Sequence, residues 1–248
     1  MHFVDAKGIL SARNGMNIYR GCTHGCIYCD SRSRCYGFTH PFENIEVKRN
    51  APALLEQKLR SKRKKCMIGT GAMCDPYLHC EEELRLTRAC LEIIDRYGFG
   101  VSVLTKSDRI LRDLDLLGSI QEKSKAVAQM TPLLPFINDT KENLEGILEG
   151  CLEAGVKGIL CFGMGLTLRE GNREYFYQAL DRHFPGLRRE YQRRYGNAYE
   201  LPSPRHRELQ QIFDDTCAKA GILYRPEDIF AYLREFPENK GYTQLSLF

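Results

Sequence analysis

An α/β fold of βα units around a parallel sheet is what this 248-residue chain predicts. Three observations carry that expectation. Short apolar runs alternate with amphipathic stretches through the middle of the chain, the pattern of strands each followed by a helix. The length suits one domain of barrel or doubly wound type. A cysteine-rich loop directly follows the first apolar–polar run, at the carboxyl end of a strand, where folds of this kind keep their chemistry.

In chain order, strands are expected at 17–19, 66–70, 100–105, 125–131 and 157–162, and helices at 51–60, 81–97, 108–117, 140–154 and 172–183. The helix at 140 has clear boundary signals: Asn138 and Asp139 can cap its start, and Gly155 follows its end. After residue 185 the pattern turns helical and polar, with helices expected at 204–220 and 227–234. The expected organisation is therefore a barrel-like unit at 1–184, a helical extension at 185–236 and a tail at 237–248. One stretch breaks the pattern. Residues 126–137 read AVAQMTPLLPFI, with Pro132 and Pro135 inside an otherwise apolar run. Two parallel strands need a crossover of a dozen or more residues, and none fits here. Either one strand runs into an irregular loop, or a βα unit is missing.

The composition excludes several classes. An apolar share of 43% with 27% charged residues is that of an ordinary globular protein. No apolar run approaches the roughly 20 residues that span a bilayer. The start, Met1-His2-Phe3-Val4-Asp5-Ala6-Lys7, has neither the basic opening nor the apolar core of a signal peptide, so a cytoplasmic location is expected. Eleven cysteines then read as metal ligands and buried thiols rather than a disulfide framework. The net charge of +4 is mild.

Residues 21–30 read Gly-Cys-Thr-His-Gly-Cys-Ile-Tyr-Cys-Asp. Cys22, Cys26 and Cys29 are spaced CxxxCxxC, and three thiolates on one tight loop suit three irons of a 4Fe–4S cluster. A fully liganded cluster takes four cysteines; a set of three leaves one iron open, and an open coordination position marks a reactive metal rather than a structural one. The alternatives are a zinc site completed by His24 or Cys35, and three unligated thiols. The usual zinc spacing has a second CxxC pair, which this chain lacks.

The loop resembles that of the radical S-adenosylmethionine (radical SAM) enzymes, Tyr28 before the last cysteine included. Further segments resemble one branch of that superfamily, the spore-photoproduct-lyase-like proteins described as DNA repair photolyase-like. These are Asn17-Ile18-Tyr19-Arg20-Gly21-Cys22 running into His24-Gly25-Cys26-Ile27-Tyr28-Cys29; Gly69-Thr70 with Asp75-Pro76-Tyr77, Glu83 and Leu86-Thr87-Arg88; Thr105-Lys106-Ser107 with Arg112-Asp113-Leu114-Asp115-Leu116-Leu117; and Pro132-Leu133-Leu134-Pro135-Phe136-Ile137-Asn138-Asp139-Thr140, which looks like the branch's fifth strand and the turn beyond. The resemblance covers about residues 14 to 220. It implies a partial (β/α) TIM-type barrel, a 4Fe–4S cluster on Cys22, Cys26 and Cys29, and S-adenosyl-L-methionine on the open iron. Reductive cleavage would yield a 5′-deoxyadenosyl radical acting on nucleic acid, with flavodoxin or ferredoxin as electron donor. The other outcomes are action on RNA, protein or a small molecule, and a degenerate, non-catalytic cluster protein. In that branch a loop, a helix and the start of a strand separate the fourth strand, which Gln129-Met130-Thr131 resembles, from the fifth. Here they abut between Thr131 and Pro132, so the barrel is expected to be shorter by about one βα unit and its cofactor wall incomplete.

Cofactor contacts are implied for Lys106, at the end of an apolar strand, as partner of the cofactor carboxylate, and with it for Ser107 and Asp75. The competing readings are a solvated lysine and an Asp-Pro turn. Cys74 invites comparison with the loop cysteine that returns a hydrogen atom in spore photoproduct lyases; the competing reading is a buried, inert thiol. Cys35, Cys66, Cys80, Cys90, Cys151, Cys161 and Cys217 take that second reading. Two basic runs, Lys58 to Lys65 (KLRSKRKK) and Arg188 to Arg194 with Tyr191 and Tyr195 interleaved, suit a phosphate backbone and unstacked bases, or are solvated helix faces. Finally, Gln244-Leu245-Ser246-Leu247-Phe248 follows a linker-like Pro237-Glu238-Asn239-Lys240-Gly241. It matches the bacterial sliding-clamp-binding motif; the alternative is a tail docked on its own domain.

Overall fold

The computed structural model describes residues 1–129, 133–153 and 156–236. Its front half is a run of strand–helix units: β1 (His2–Val4), β2 (Gly15–Met16), β3 (Tyr19–Arg20), β4 (Glu46–Lys48), α1 (Ala51–Ser61), β5 (Met67–Thr70), α2 (Glu81–Leu84), α3 (Leu86–Arg96), β6 (Gly100–Leu104), α4 (Leu114–Lys123) and β7 (Ala126–Gln129). Strands β2, β5, β6 and β7 form one parallel sheet in sequence order. Strand β6 (GVSVL) is buried at its first four positions, as expected of a parallel strand covered on both faces. Leu55 and Leu59 of α1, Leu91 and Ile94 of α3 and Ile120 of α4 pack with Ile68, Val101 and Val103 into the main core. A smaller sheet, β1-β4-β3, leans on this body through the fully buried Val47.

Several elements differ from the sequence expectation. The strand expected at 17–19 divides in two: Gly15–Met16 joins the parallel sheet, while Tyr19–Arg20 pairs antiparallel with β4. The helix expected over 81–97 breaks at Arg85, whose φ of 49° ends α2. The break frees the Thr87 N–H to bind the Glu81 carboxylate. The helix expected at 108–117 is a 3-10 turn, Asp108–Asp113, that runs into α4.

The back half is built differently. It contains α5 (Lys141–Glu153), β8 (Gly165–Thr167), α6 (Asn172–His183), α7 (Leu187–Tyr195), β9 (Glu200–Pro202), α8 (His206–Ala220) and α9 (Pro226–Arg234). Residues 130–132, the junction of interest, lie outside the described residues. Beyond it, the segment likened to a fifth strand is a turn. The Leu134 carbonyl accepts from the N–H groups of Ile137 and Asn138, and Phe136 adopts φ 64°. The side chains of Asn138 and Asp139 accept from the backbone N–H groups of Leu134 and Phe136. They brace this turn and do not cap α5; Thr140 does, accepting from the Asn143 N–H. The strand expected at 157–162 is also absent. Gly158 forms an isolated bridge with Leu223, and Ile159 N–H donates to the Leu223 carbonyl, so this backbone is satisfied away from the main sheet. Among the described residues the parallel sheet has four strands and does not close into a ring.

Two satellite cores hold the back half together. One joins Leu134, Leu166, Leu168, Phe176, Tyr177, Leu180, Tyr191 and Leu201; the other joins Leu133, Leu144, Leu148, Met164, Leu209, Phe213 and Cys217. The expected boundary at 184/185 falls inside the first, since α6, α7 and the antiparallel pair β8–β9 share it. At the far end, α9 docks on the amino ends of the parallel strands. Lys125, just before β7, donates to the carbonyls of Tyr232 and Glu235, and its ammonium lies 4.1 Å from the Tyr232 ring centre.

Candidate functional site

Three loops leave the carboxyl ends of β2, β5 and β6 and meet. The first is the cysteine loop, reached through β3. It begins at Gly21 with φ 89°, and a Cβ there would stand 2.4 Å from the Phe42 carbonyl oxygen, so only glycine fits. The Cys22 N–H donates to that same carbonyl at 3.1 Å. Cys29 then opens the 3-10 turn Asp30–Arg32. Cys22 is buried, and Cys26 and Cys29 are half-buried.

Asp75, on the loop after β5, ties the three loops together. Its Oδ1 accepts from Thr105 Oγ1 at 2.7 Å and from Tyr77 N–H at 2.9 Å; its Oδ2 accepts from Lys106 N–H at 2.7 Å and lies 3.5 Å from His24 Nε2. Burial pushes the Asp75 carboxyl up, but the His24 contact and the Lys106, Thr105 and Tyr77 donors outweigh it and hold the group below the usual carboxylate range. The Asp75 contact in turn raises His24. Both Asp75 oxygens are thus engaged by the protein, and the residue acts here as a brace. The sequence alone offers His24 as a zinc ligand. Nothing in a Cys-Thr-His-Gly-Cys string shows that its partner lies 51 positions on.

Lys106 stands among the cysteines. Its ammonium is 5.7 Å from the Tyr28 ring centre, and its charge favours the thiolates of Cys26 and Cys29, whose thiols burial pushes up. Ser107 accepts from Arg109 N–H at 3.3 Å and caps the 3-10 turn that follows. Cys74 is buried and donates to the Gly21 carbonyl at 2.6 Å. The neighbouring Cys74 side chain is the main cause of a Cys22 thiol lowered to about 6, with burial opposing and the His24 N–H assisting. Cys35 is exposed and within 3.7 Å of an Arg169 guanidinium nitrogen.

A buried ionic network holds the second and third loops. Glu81, fully buried, accepts from Tyr19 Oη and from Thr87 N–H, and pairs with Arg112 at 3.1 Å. Asp113, also fully buried, accepts from Tyr77 Oη at 3.0 Å and pairs with Arg88 and Arg112 at 2.9 Å. The back half covers the cysteine loop: Ile27 and Tyr28 pack on the Phe176–Tyr191 core, and the Arg32 guanidinium lies between the Phe42 and Tyr175 rings. Gly171 (φ 93°) lets this cover approach, since a Cβ there would meet Arg34 N at 3.0 Å.

The two basic runs lie on separate elements. The run from Lys58 to Lys65 joins α1 to β5, and so lies at the amino end of the sheet, opposite the cysteines. In α7, Tyr191 is fully buried with its hydroxyl donating to the Pro135 carbonyl, and Arg188 and Arg193 pair with Asp181 and Glu190. A core tyrosine offers no face for a base to stack on. The pentapeptide Gln244, Leu245, Ser246, Leu247 and Phe248 lies outside the described residues.

Relatives resemble the chain without naming its activity. Uncharacterized proteins of Mycobacterium tuberculosis and Mycobacterium bovis are 27% identical to it, the match covering 81% of this chain and 72% of theirs. An uncharacterized protein of Methanocaldococcus jannaschii is 36% identical over 115 residues, 46% of this chain and 42% of that one. The mycobacterial alignment runs over 254 positions but takes in 81% of a 248-residue chain, so about 50 positions have no counterpart here. No family model and no solved structure matches. No helix among the described residues is long and apolar enough to cross a membrane.

Proposed function

We propose that the protein is a radical SAM iron–sulfur protein in which Cys22, Cys26 and Cys29 ligate a 4Fe–4S cluster. The observation that carries this reading is the placement of the three cysteines on one loop at the carboxyl end of a parallel sheet, with Lys106 beside them and Asp75 fixing the neighbouring loops. When bound, the cluster and S-adenosyl-L-methionine would supply one-electron reductive cleavage and a hydrogen-abstracting radical, chemistry that belongs to the cofactor.

The chain's own part is to bind and shield. The Lys106 ammonium is suited to a carboxylate at the open iron. The Phe176–Tyr191 core behind Ile27 and Tyr28 keeps water from one side of the loop. Cys74 Sγ–H lies against Cys22 and Gly21, where it supports the ligand loop, a role that fits better than hydrogen-atom donation. The turn at 133–140 stands where the resemblance implies a cofactor-binding strand. Affinity for S-adenosyl-L-methionine is therefore expected to be weak. The same observation favours a second reading, a degenerate cluster-bearing protein without turnover. For the active protein, nucleic acid is the proposed substrate class, by resemblance, approaching beside the exposed Arg189 and Arg194 of α7.

Anaerobically reconstituted, reduced protein incubated with S-adenosyl-L-methionine tests both readings. Formation of 5′-deoxyadenosine supports the enzyme. A brown protein that forms none favours the degenerate reading. A colourless protein holding one zinc on sulfur ligands overturns both. Calorimetric binding of S-adenosyl-L-methionine at micromolar concentration would count against an incomplete cofactor wall.

A further inference from the structure

We propose that His2, His40 and Glu46 form a binding site for a divalent transition-metal ion of the zinc class, separate from the cysteine loop. One ligand atom from each lies within 4.8 Å of the other two, and all three residues are partly buried. They come from separate segments that the fold brings together. His2 and Glu46 are register partners on the parallel strands β1 and β4, which puts their side chains on one face. His40 approaches from the segment between the cysteine loop and β4, its ring 5.1 Å from that of His2 at 88°.

The hydrogen bonds around the two rings match what a metal-binding histidine needs. Such a residue usually donates its other ring N–H to an oxygen, which fixes the tautomer and aims the free nitrogen. His40 Nδ1 lies 3.0 Å from the Pro41 carbonyl oxygen, and His2 Nδ1 lies 3.4 Å from Asn44 Oδ1. Both acceptors belong to one tight turn, closed by Asn44 N–H donating to Pro41 at 2.9 Å. With each Nδ1 so engaged, Nε2 is the nitrogen left for a metal. The nearby cations are committed elsewhere: Arg20 donates to the carbonyls of Tyr36 and Gly37, and Lys48 to that of Asn17. Two imidazoles and one carboxylate suit zinc and its divalent neighbours far better than magnesium or calcium. Bond lengths of about 2.0–2.1 Å require the three side chains to close together slightly, a movement of partly exposed side chains, one of them on the edge strand β1 and one on a loop.

The site's position gives it a consequence. His40, Phe38 and Phe42 stack in series, and the Phe42 carbonyl receives the Cys22 N–H. A metal at His40 would pin β1, β4 and this aromatic run behind the cysteine loop, fastening its rear wall.

Zinc is the probe. Full-length protein, His40→Ala and Glu46→Gln are each equilibrated with zinc, gel-filtered and assayed for metal content, with X-ray absorption at the zinc edge. One equivalent should be lost in His40→Ala, and its affinity should fall at least tenfold in Glu46→Gln. The lost equivalent should show nitrogen and oxygen neighbours at about 2.0–2.1 Å rather than sulfur at about 2.3 Å. Cys22→Ala should retain it. Equal zinc in the wild-type chain and both variants overturns the proposal, as does a lost equivalent bound by sulfur. Should His40→Ala fail to fold, Glu46→Gln alone carries the test, because amide for carboxylate preserves shape on β4.

Discussion

The front and back halves of the chain solve the same packing problem in different ways. Up to Gln129, β4, β5 and β6 each lead into a helix, one core runs through α1, α3 and α4, and the buried charges of Glu81 and Asp113 are fully paired. Beyond Leu133 the repeat stops. Short segments are joined by a turn, an isolated bridge and one antiparallel pair, and two small cores replace one large one. The contrast teaches that a βα series can stop at four parallel strands and still present the loops at the carboxyl ends of those strands. Those loops are fixed to one another by Asp75, Glu81 and Asp113 rather than by ring closure. The back half then serves as a cover.

If that division is right, alanine at any one of Cys22, Cys26 or Cys29 removes the cluster entirely, from about four irons per chain to none. Tyr191→Phe in the cover leaves iron content unchanged. Iron analysis and the spectrum of the reduced protein check both arms. Next in size is Gly71→Ala. Gly71 has φ 95°, and a Cβ there would lie 1.9 Å from the Leu104 carbonyl oxygen. Denaturant titration should show a loss of about 3 kcal/mol or more, and a near-neutral result would mean that the site loops are looser than described.

Asp113→Asn should cost about 2 kcal/mol, because Arg88 and Arg112 lose a buried partner. The pH dependence has a definite sign. Burial raises the Asp113 carboxyl, but Arg112 and Arg88 hold it below its ordinary value. Its contribution is therefore complete above the unfolded value of about 3.9 and is lost as pH falls through the lower folded value. The variant should flatten the acid limb of the stability curve below about pH 4. Tyr191→Phe, which removes the hydroxyl bond to Pro135, should cost about 1 kcal/mol. The smallest effect belongs to truncation after Thr243. A pull-down with purified sliding clamp should lose a micromolar interaction while stability and spectrum stay as they were. Equal retention of both forms would leave self-docking as the better account.

How much of this was legible in the sequence follows the same division. Alternation of apolar and amphipathic segments located β5, β6, β7 and the helices beside them, because each unit buries its own face locally. The cysteine spacing and Lys106 were readable for the same reason, as local strings. Pairings across the chain were not readable. Asp75 meets His24 across 51 residues, Tyr19 meets Glu81 across 62, and His2 meets His40 across 38. A run of three glutamates does not reveal that the first is buried. Tyr191 misled because an arginine-rich helix with a tyrosine looks like a nucleic-acid face, while helical periodicity turns that tyrosine into the core. The expected strand at 157–162 failed because a short apolar run has no preferred partner, and Leu223 supplied one.

The docking of α9 fixes the place of the last described residues. Lys125 and Gly100, at the amino ends of β7 and β6, hold Tyr232, Glu235 and Phe236. The residues after Phe236 therefore start from the amino end of the sheet, opposite the cysteines. A body gripped by the last five residues would be leashed from the rear. An anchor taken from that end and a reactant at Cys22, Cys26 and Cys29 would engage opposite ends of the sheet.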